Sequence, residues 1–250
     1  MAKTKFKKLK KVKLIPTPKA AVIGFFCVLF VLFAVYLGKE LSSSSIFMVK
    51  ELRSNVAIDN NAITLTGNES LFDVDLEGIR AQIYRQHPEY KEVYLSKEFP
   101  SAVRITIVIR KPFALLKGDK NYPVDREGVV ITEDQSAAPG FVLIEIDDYN
   151  RRLKPGQRVA DVRLETAFVL IEELYKARFL RKFSVQSINA TQPEVMCMMI
   201  DQTKIILGKN DFKRKLGTLE TILRGELKGD LALVEYIDLR YDKVYLGRKR

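Results

Sequence analysis

Nineteen consecutive residues, Ala20–Gly38 (AAVIGFFCVLFVLFAVYLG), carry no charge and are bracketed by Lys19 and Lys39. As a helix this stretch reaches about 28 Å, close to the roughly 30 Å hydrocarbon thickness of a bilayer. Inside lipid a backbone must satisfy its own hydrogen bonds, so a run this apolar predicts one transmembrane helix. It divides the chain into a basic head, residues 1–19, and a body of about 210 residues. The head holds Lys3, Lys5, Lys7, Lys8, Lys10, Lys11, Lys13 and Lys19 and no acidic residue. Lysine excess marks the cytoplasmic flank of a span, which predicts a cytoplasmic N-terminus and a body on the outer side of the cytoplasmic (inner) membrane. A cleaved signal peptide has a shorter apolar core and ends in a small-x-small site. This run ends Ala34-Val-Tyr-Leu-Gly-Lys39, which fits that site poorly, so an uncleaved anchor is expected.

The formal net charge of +11 would suit a nucleic-acid binder, but its location argues otherwise. The eight lysines of the head and Arg248, Lys249 and Arg250 account for all of it, leaving residues 20–247 formally neutral. A nucleic-acid binder concentrates positive charge on its folded body. The head instead suits topology and anionic lipid headgroups. The two cysteines, Cys27 in the span and Cys197 in the body, cannot pair within one chain. The body must therefore be held by apolar cores, and its length allows two small domains.

Residues 1–19 have too much charge and proline to fold alone and read as a disordered tail, and residues 39–45 (KELSSSS) read as a spacer. Ile46–Leu52 alternates like a strand, and Ile63-Thr-Leu-Thr66 gives a short second one ahead of Gly67-Asn68. Asp75 is placed to cap a helix through Gln86, with Leu76, Ile79 and Ile83 on one face and Pro88 just beyond it. Lys91–Lys97 and Val103–Arg110 read as a hairpin around Glu98–Ser101, with Val103, Ile105, Ile107 and Ile109 facing inward. A second unit starts at Lys111-Pro112. Tyr122–Ile131 reads as two strands around a turn at Arg126–Gly128, and Phe141–Ile146 as another. Asp161 caps a helix through about Arg178, whose stripe is Leu164, Ala167, Phe168, Ile171, Leu174 and Tyr175. Val185–Ala190, Glu194–Ile200 and Thr203–Leu207 are strands, Asn210 caps a further helix, and Leu233–Arg240 and Lys243–Leu246 close the chain. The fold class is α+β: one transmembrane helix, a small α+β domain, then a second, β-rich α+β domain.

No enzyme site assembles from these residues. His87 is the sole histidine, which puts a histidine metal cluster or a hydrolytic triad needing more than one out of reach. Its plain role is a polar residue at a helix C-terminus. Cys197 lies in the apolar run Val195-Met-Cys-Met-Met199 and reads as a buried small residue. Asp147-Asp148 reads as a solvated loop, and there is no phosphate-binding glycine loop. The expectation is a protein without catalytic residues, cofactor, metal or small-molecule substrate.

Residues 71–116 carry, in order, Leu71-Phe72, Val74-Asp75, a helix, Pro88, Lys91, Val93, Phe99-Pro100, a strand, then Arg110, Pro112 and Ala114. This series resembles the "LF-x-LD", helix, "P-x-(I/V)-K-x-V", "(R/K)-x-(F/L)-P", strand, "R-x-P-x-A" pattern of the FtsQ/DivIB family of bacterial cell-division proteins. Val124-Asp125-Arg126-Glu127-Gly128-Val129 resembles its "(V/I)-D-x-x-G-x-V". Ile206-Leu207-Gly208 with Asp211-Phe212 and Lys215-Leu216 resembles a third motif, and Tyr236-Ile-Asp-Leu-Arg-Tyr241 its closing "Y-x-D-L-R-(Y/F)". The resemblance implies a membrane-proximal POTRA domain over residues 46–111, a β domain over 112–247 and a basic tail at 248–250. It implies a scaffold at the division septum that binds FtsB- and FtsL-like proteins and other division components along its C-terminal sheet edge. Carried onto this sequence, that role falls on Tyr236, Asp238, Arg240 and Tyr241, with Lys243 and Tyr245 next along the edge. An alternative keeps the fold and changes the role, to a membrane-tethered POTRA module handling polypeptides in secretion or envelope assembly.

Overall fold

The structure, a computed structural model, describes residues 18–42, 44–57, 69–133, 140–149, 151–228 and 230–249. The basic head up to residue 17, the strand expected over Ile63–Thr66 and Gly67-Asn68 lie outside them. The chain divides into two compact units, Met1–Ile79 with Leu95–Thr106, and Arg80–Tyr94 with Ile107–Arg250.

The first unit begins with α1 (Pro18–Ser42), which contains a 19-residue segment, Val22–Glu40, long and apolar enough to cross a membrane. A turn follows, closed by the Phe47 N–H donating to the Ser44 carbonyl at 3.0 Å. The sequence predicts one strand over Ile46–Leu52, but two different partners split that stretch. Phe47–Val49 pairs with residues 69–71, through Val49 N–H to the Glu69 carbonyl (3.0 Å) and Leu71 N–H to the Phe47 carbonyl (2.7 Å). The strand proper, β1 (Glu51–Ser54), instead runs parallel to Ala102–Ile105. Val49, Leu71, Val74, Val103 and Ile105 are buried in this unit.

Next comes α2 (Leu76–Gln86), capped as its sequence predicts: Asp75 Oδ1 accepts from the N–H of Glu77 (3.1 Å) and of Gly78 (3.0 Å). The strands β2 (Tyr90–Glu98) and β3 (Ala102–Ile109) complete a three-stranded sheet in the order β1-β3-β2. Ile109, expected inward, is exposed; the pairing with β1 stops at Ile105, four residues short of it.

The second unit is built on an eight-stranded sheet. Its strands are β4 (Ala114–Lys117), β5 (Asn121–Val124), β6 (Leu143–Glu145), β7 (Val185–Gln192), β8 (Val195–Ile200), β9 (Thr203–Gly208), β10 (Val234–Asp238) and β11 (Tyr245–Arg248). They lie in the order β11-β10-β9-β8-β7-β6-β4-β5. β6 runs parallel to β7, and β9 parallel to β10. A parallel pair cannot be joined by a tight hairpin and needs a crossover. Here α3 (Val162–Lys176) and α4 (Phe212–Arg224) supply the two crossovers. Each buries one stripe in the core: Leu164, Ala167, Phe168, Leu170, Ile171 and Leu174 from α3, and Phe212, Leu216, Leu219, Ile222 and Leu223 from α4. Tyr175, assigned to the α3 stripe by spacing, is exposed instead. At β4 the sequence shows no alternation long enough to read. The second half of Tyr122–Ile131 forms only isolated bridges, Val124 with Val130 and Val129 with Arg158.

An ion pair organises the start of this unit. Arg110 Nη1 bonds Asp125 Oδ2, and both side chains are largely shielded from water. The other carboxylate oxygen accepts the N–H groups of Glu127 (2.8 Å) and Val129 (2.9 Å), which shapes the turn before Gly128. Gly128 sits at φ +75° with the Val159 carbonyl 2.8 Å from where a Cβ would stand, so a side chain there meets both strain and backbone.

Candidate functional site

β11 is an edge strand of the larger sheet, and its antiparallel pairing with β10 runs Val234 to Arg248, Tyr236 to Gly247, Ile237 to Leu246 and Asp238 to Tyr245, with a bulge between Val234 and Tyr236. On its inner side β10 is held to β9, with Tyr236 opposite Lys204, Ile237 opposite Ile205 and Asp238 opposite Ile206. Ile237 and Leu239 are buried, the Leu239 N–H donates to the Ile206 carbonyl at 2.8 Å, and the buried Thr203 hydroxyl donates to the Val234 carbonyl at 3.0 Å. The edge is therefore seated on a rigid strand. Its outer rim leaves backbone N–H and C=O groups available to a further strand.

The residues that the sequence singles out divide into two groups. Asp238 is buried and grips Arg240 with both carboxylate oxygens: Oδ1 accepts the Arg240 backbone N–H (3.0 Å) and Nε (3.1 Å), and Oδ2 accepts Nη2 (2.7 Å). Burial pulls the Asp238 carboxyl up, but the hydrogen bonds and charge of Arg240, with Lys215 beyond, outweigh it and hold the group below its ordinary range. Asp238 thus orients Arg240. Tyr236 is 38% exposed, with its ring lying against Gly247. Tyr241 and Tyr245 are 57% and 52% exposed. Arg240 Cζ stands 5.3 Å above the Tyr241 ring, and the two tyrosine rings meet edge to face at 6.1 Å. Arg240, Tyr241 and Tyr245 therefore form one surface cluster, stiffened by a cation–π contact. Lys243 is exposed within the turn between the strands. Arg248 closes β11, and the Lys249 N–H donates to the Leu233 carbonyl at 3.0 Å, so these two residues of the expected basic tail extend the edge.

Two apolar side chains that the sequence does not single out, Leu233 and Leu246, are also exposed here. Both sit inside stretches that read as ordinary alternation, and only the edge position reveals that their face lacks cover. Gly247 carries no sequence signal either. A Cβ at that position would stand 2.2 Å from the Tyr236 ring, so Gly247→Ala should drive the ring off the strand. We expect a loss of about 0.5–1.5 kcal/mol, the cost of turning an exposed ring off its rotamer, read as a lowered urea midpoint at unchanged slope.

Elsewhere the chemistry is structural. Burial pushes the Cys197 thiol up, away from the thiolate a nucleophile requires. His87 Nδ1 lies 2.9 Å from a Glu89 carboxylate oxygen, and its ring stacks on Tyr90 at 4.6 Å. Asp148 is exposed, as its polar stretch suggests, and accepts from Arg163 Nη1 at 2.8 Å. The N-cap of α4 is Asp211, at φ 55° and without a side-chain cap bond, where the sequence suggests Asn210. The Asn210 carbonyl instead accepts from the buried Lys215 ammonium at 2.9 Å, and the Leu207 carbonyl does so at 2.7 Å. Among the described residues no group of three or more His, Cys, Asp or Glu side chains is placed to hold a metal ion.

Comparison with known proteins bears on the sheet that carries this edge. The family model described as "Cell division protein FtsQ/DivIB, C-terminal" matches residues 114–240. That match runs from the first strand of the large sheet to Arg240, so Tyr241, Lys243 and Tyr245 lie beyond it. The chain is also similar to "Cell division protein FtsQ" of Geobacter sp. (strain M21), 26% identical over 199 residues, covering 74% of this chain and 69% of that protein.

Proposed function

This chain belongs to the FtsQ/DivIB family of cell-division proteins, and from that premise we propose that it is a non-catalytic, membrane-anchored scaffold of the division machinery. Its N-terminus is cytoplasmic, α1 crosses the membrane, and a POTRA-like domain (46–111) and a β domain (112–247) stand on the outer side at the septum. The lysine-rich head supports this orientation. The mechanism is binding. The β10–β11 edge receives FtsB- and FtsL-like partners, which add main-chain hydrogen bonds along β11 while side chains dock beside Arg240, Tyr241 and Tyr245. The observation that carries this is the exposed Arg240–Tyr241–Tyr245 cluster at the turn that leads into a short edge strand. Tyrosine and arginine are the residue types that dominate interface energies, and both are here pre-ordered, which lowers the entropic cost of binding. The matches to cell-division proteins favour this role over polypeptide handling in secretion or envelope assembly.

Co-purification of the tagged full-length chain with the two partner proteins tests the edge directly. Arg240→Glu combined with Tyr241→Ala should reduce recovery by at least about tenfold, the effect of losing one hot spot of about 1.4 kcal/mol or more. Undiminished recovery would remove the site assignment. Depletion of the chain separates the two roles, because filamentous cells indicate division and normal septation with secretion defects indicates transport.

A further inference from the structure

Three phenylalanines from distant parts of the first unit form one surface cluster. Phe47, Phe72 and Phe99 pack pairwise with ring centroids 5.2 Å (47 to 72), 6.4 Å (47 to 99) and 5.6 Å (72 to 99) apart. The cluster is not core. Phe72 is 45% and Phe99 63% exposed, and Ile46 beside Phe47 in sequence is exposed too, whereas Leu71 is fully buried. The backbone fixes this display: the Leu71 N–H donates to the Phe47 carbonyl at 2.7 Å, and Lys97 Nζ to the Phe72 carbonyl at 2.8 Å. Glu98, the acid next to Phe99, is ion-paired with Arg53 (3.3 Å) and Arg104, so its charge does not oppose an apolar or anionic surface. Contiguous exposed aromatic surface marks a site of contact.

Chain connectivity identifies what covers it. Phe47 lies five residues beyond Ser42, the last residue of α1, so even a fully extended linker would keep it within about 17 Å of the helix end. The turn closed between Ser44 and Phe47 shortens that reach. The apolar segment of α1 ends at Glu40, so a spanning α1 would put the boundary between hydrocarbon and headgroups there. Aromatic side chains are stabilised in that layer, where an apolar ring penetrates the acyl boundary while the backbone behind it stays hydrated. We propose that the Phe47–Phe72–Phe99 face inserts into the interfacial layer of the membrane that α1 spans, docking the first unit against the bilayer as a second, non-covalent anchor. This rests on the reading of α1 as a membrane span.

The chain contains no tryptophan, so a single substitution supplies a unique fluorophore. Full-length Phe99→Trp, and separately Phe72→Trp, would be reconstituted into phosphatidylcholine–phosphatidylglycerol vesicles with bromine placed at defined depths on the acyl chains. Phe30→Trp, within α1, reports the span itself. The expected result is blue-shifted emission from Phe99→Trp and Phe72→Trp that is quenched most by lipids brominated near the headgroup, with Phe30→Trp quenched most by lipids brominated deep in the chains. Quenched Phe30→Trp with solvent-like, unquenched emission from both face variants would overturn the proposal and leave the span intact. Blue-shifted but unquenched face variants whose shift vanishes on dilution in lipid would overturn it in favour of a second copy of this chain. An unquenched Phe30→Trp would overturn the span and the docking together.

Discussion

Arg110→Met is expected to destabilise the folded body by about 3–5 kcal/mol, the usual cost of stripping one partner from a buried ion pair. The geometry explains the size. Asp125 is buried, and with Arg110 gone its carboxylate keeps, among the described residues, the backbone N–H groups of Glu127 and Val129 as donors. Lys91, which bonds Glu127 at 2.7 Å, makes no hydrogen bond to Asp125 that would replace the one lost. The measurement is urea unfolding of the detergent-solubilised chain, with the double variant Arg110→Met/Asp125→Asn completing the cycle. If the cost comes from the uncompensated carboxylate, the double variant should recover most of it. A double variant as unstable as the sum of the singles would place the cost in lost arginine packing instead.

Lys215→Met, a near-isosteric change that removes three donors, should cost about 1–3 kcal/mol, chiefly by orphaning the buried Leu207 carbonyl. The Lys215 ammonium closes the end of β9 by bonding the carbonyls of Leu207 (2.7 Å) and Asn210 (2.9 Å), directly before Asp211 starts α4. Burial pushes its pKa below the ordinary lysine range, against the pull of Asp211 and Asp238. Between the lowered folded value and the unfolded value of about 10.4, the unfolded chain binds more protons, so this group adds stability as pH rises through that window. The stability gap between wild type and Lys215→Met should therefore widen toward alkaline pH. A gap that is flat or narrows would show that the ammonium is not held against a desolvation penalty. Because β9 carries β10, the variant should also weaken partner binding, although Lys215 is buried and cannot itself touch a partner.

How much of the fold is legible in the sequence depends on the range of the interaction that decides each feature. Asp75 and Asp161 cap their helices where residue type and spacing place them, because a cap bonds the backbone two or three residues away. Asn210 does not cap α4: Lys215, five residues on, bonds its carbonyl and approaches its side-chain oxygen, the atom a cap would use, at 3.4 Å, and residue type alone does not encode that competition. Tyr175 and Ile109 follow the apolar period yet stay exposed, since periodicity names a face and only the packed partner decides how far cover extends along it.

At the candidate edge the sequence supplies the residues but not their division of labour. Tyr236, Asp238, Arg240 and Tyr241 fall within six residues, and nothing in their order says that Asp238 is buried to aim Arg240 while Tyr241 stands clear. That distinction comes from the pairing of β10 with both β9 and β11, the first of which joins segments some thirty residues apart. Likewise Arg110 and Asp125 are visible as motif residues, but their ion pair exists only once the turn before Gly128 is folded.

Short-range physics controls the length and apolarity of α1, the charge asymmetry across it, the helix caps and the alternating strands, and all of these can be read along the chain. Features that depend on burial came only with the packed molecule: the strand order that leaves β11 at an edge, the cover that Tyr236 shares with Gly247, and the meeting of Phe47, Phe72 and Phe99 on one exposed face. Desolvation and edge exposure are properties of the whole packed sheet, and no window of residues along the chain contains them.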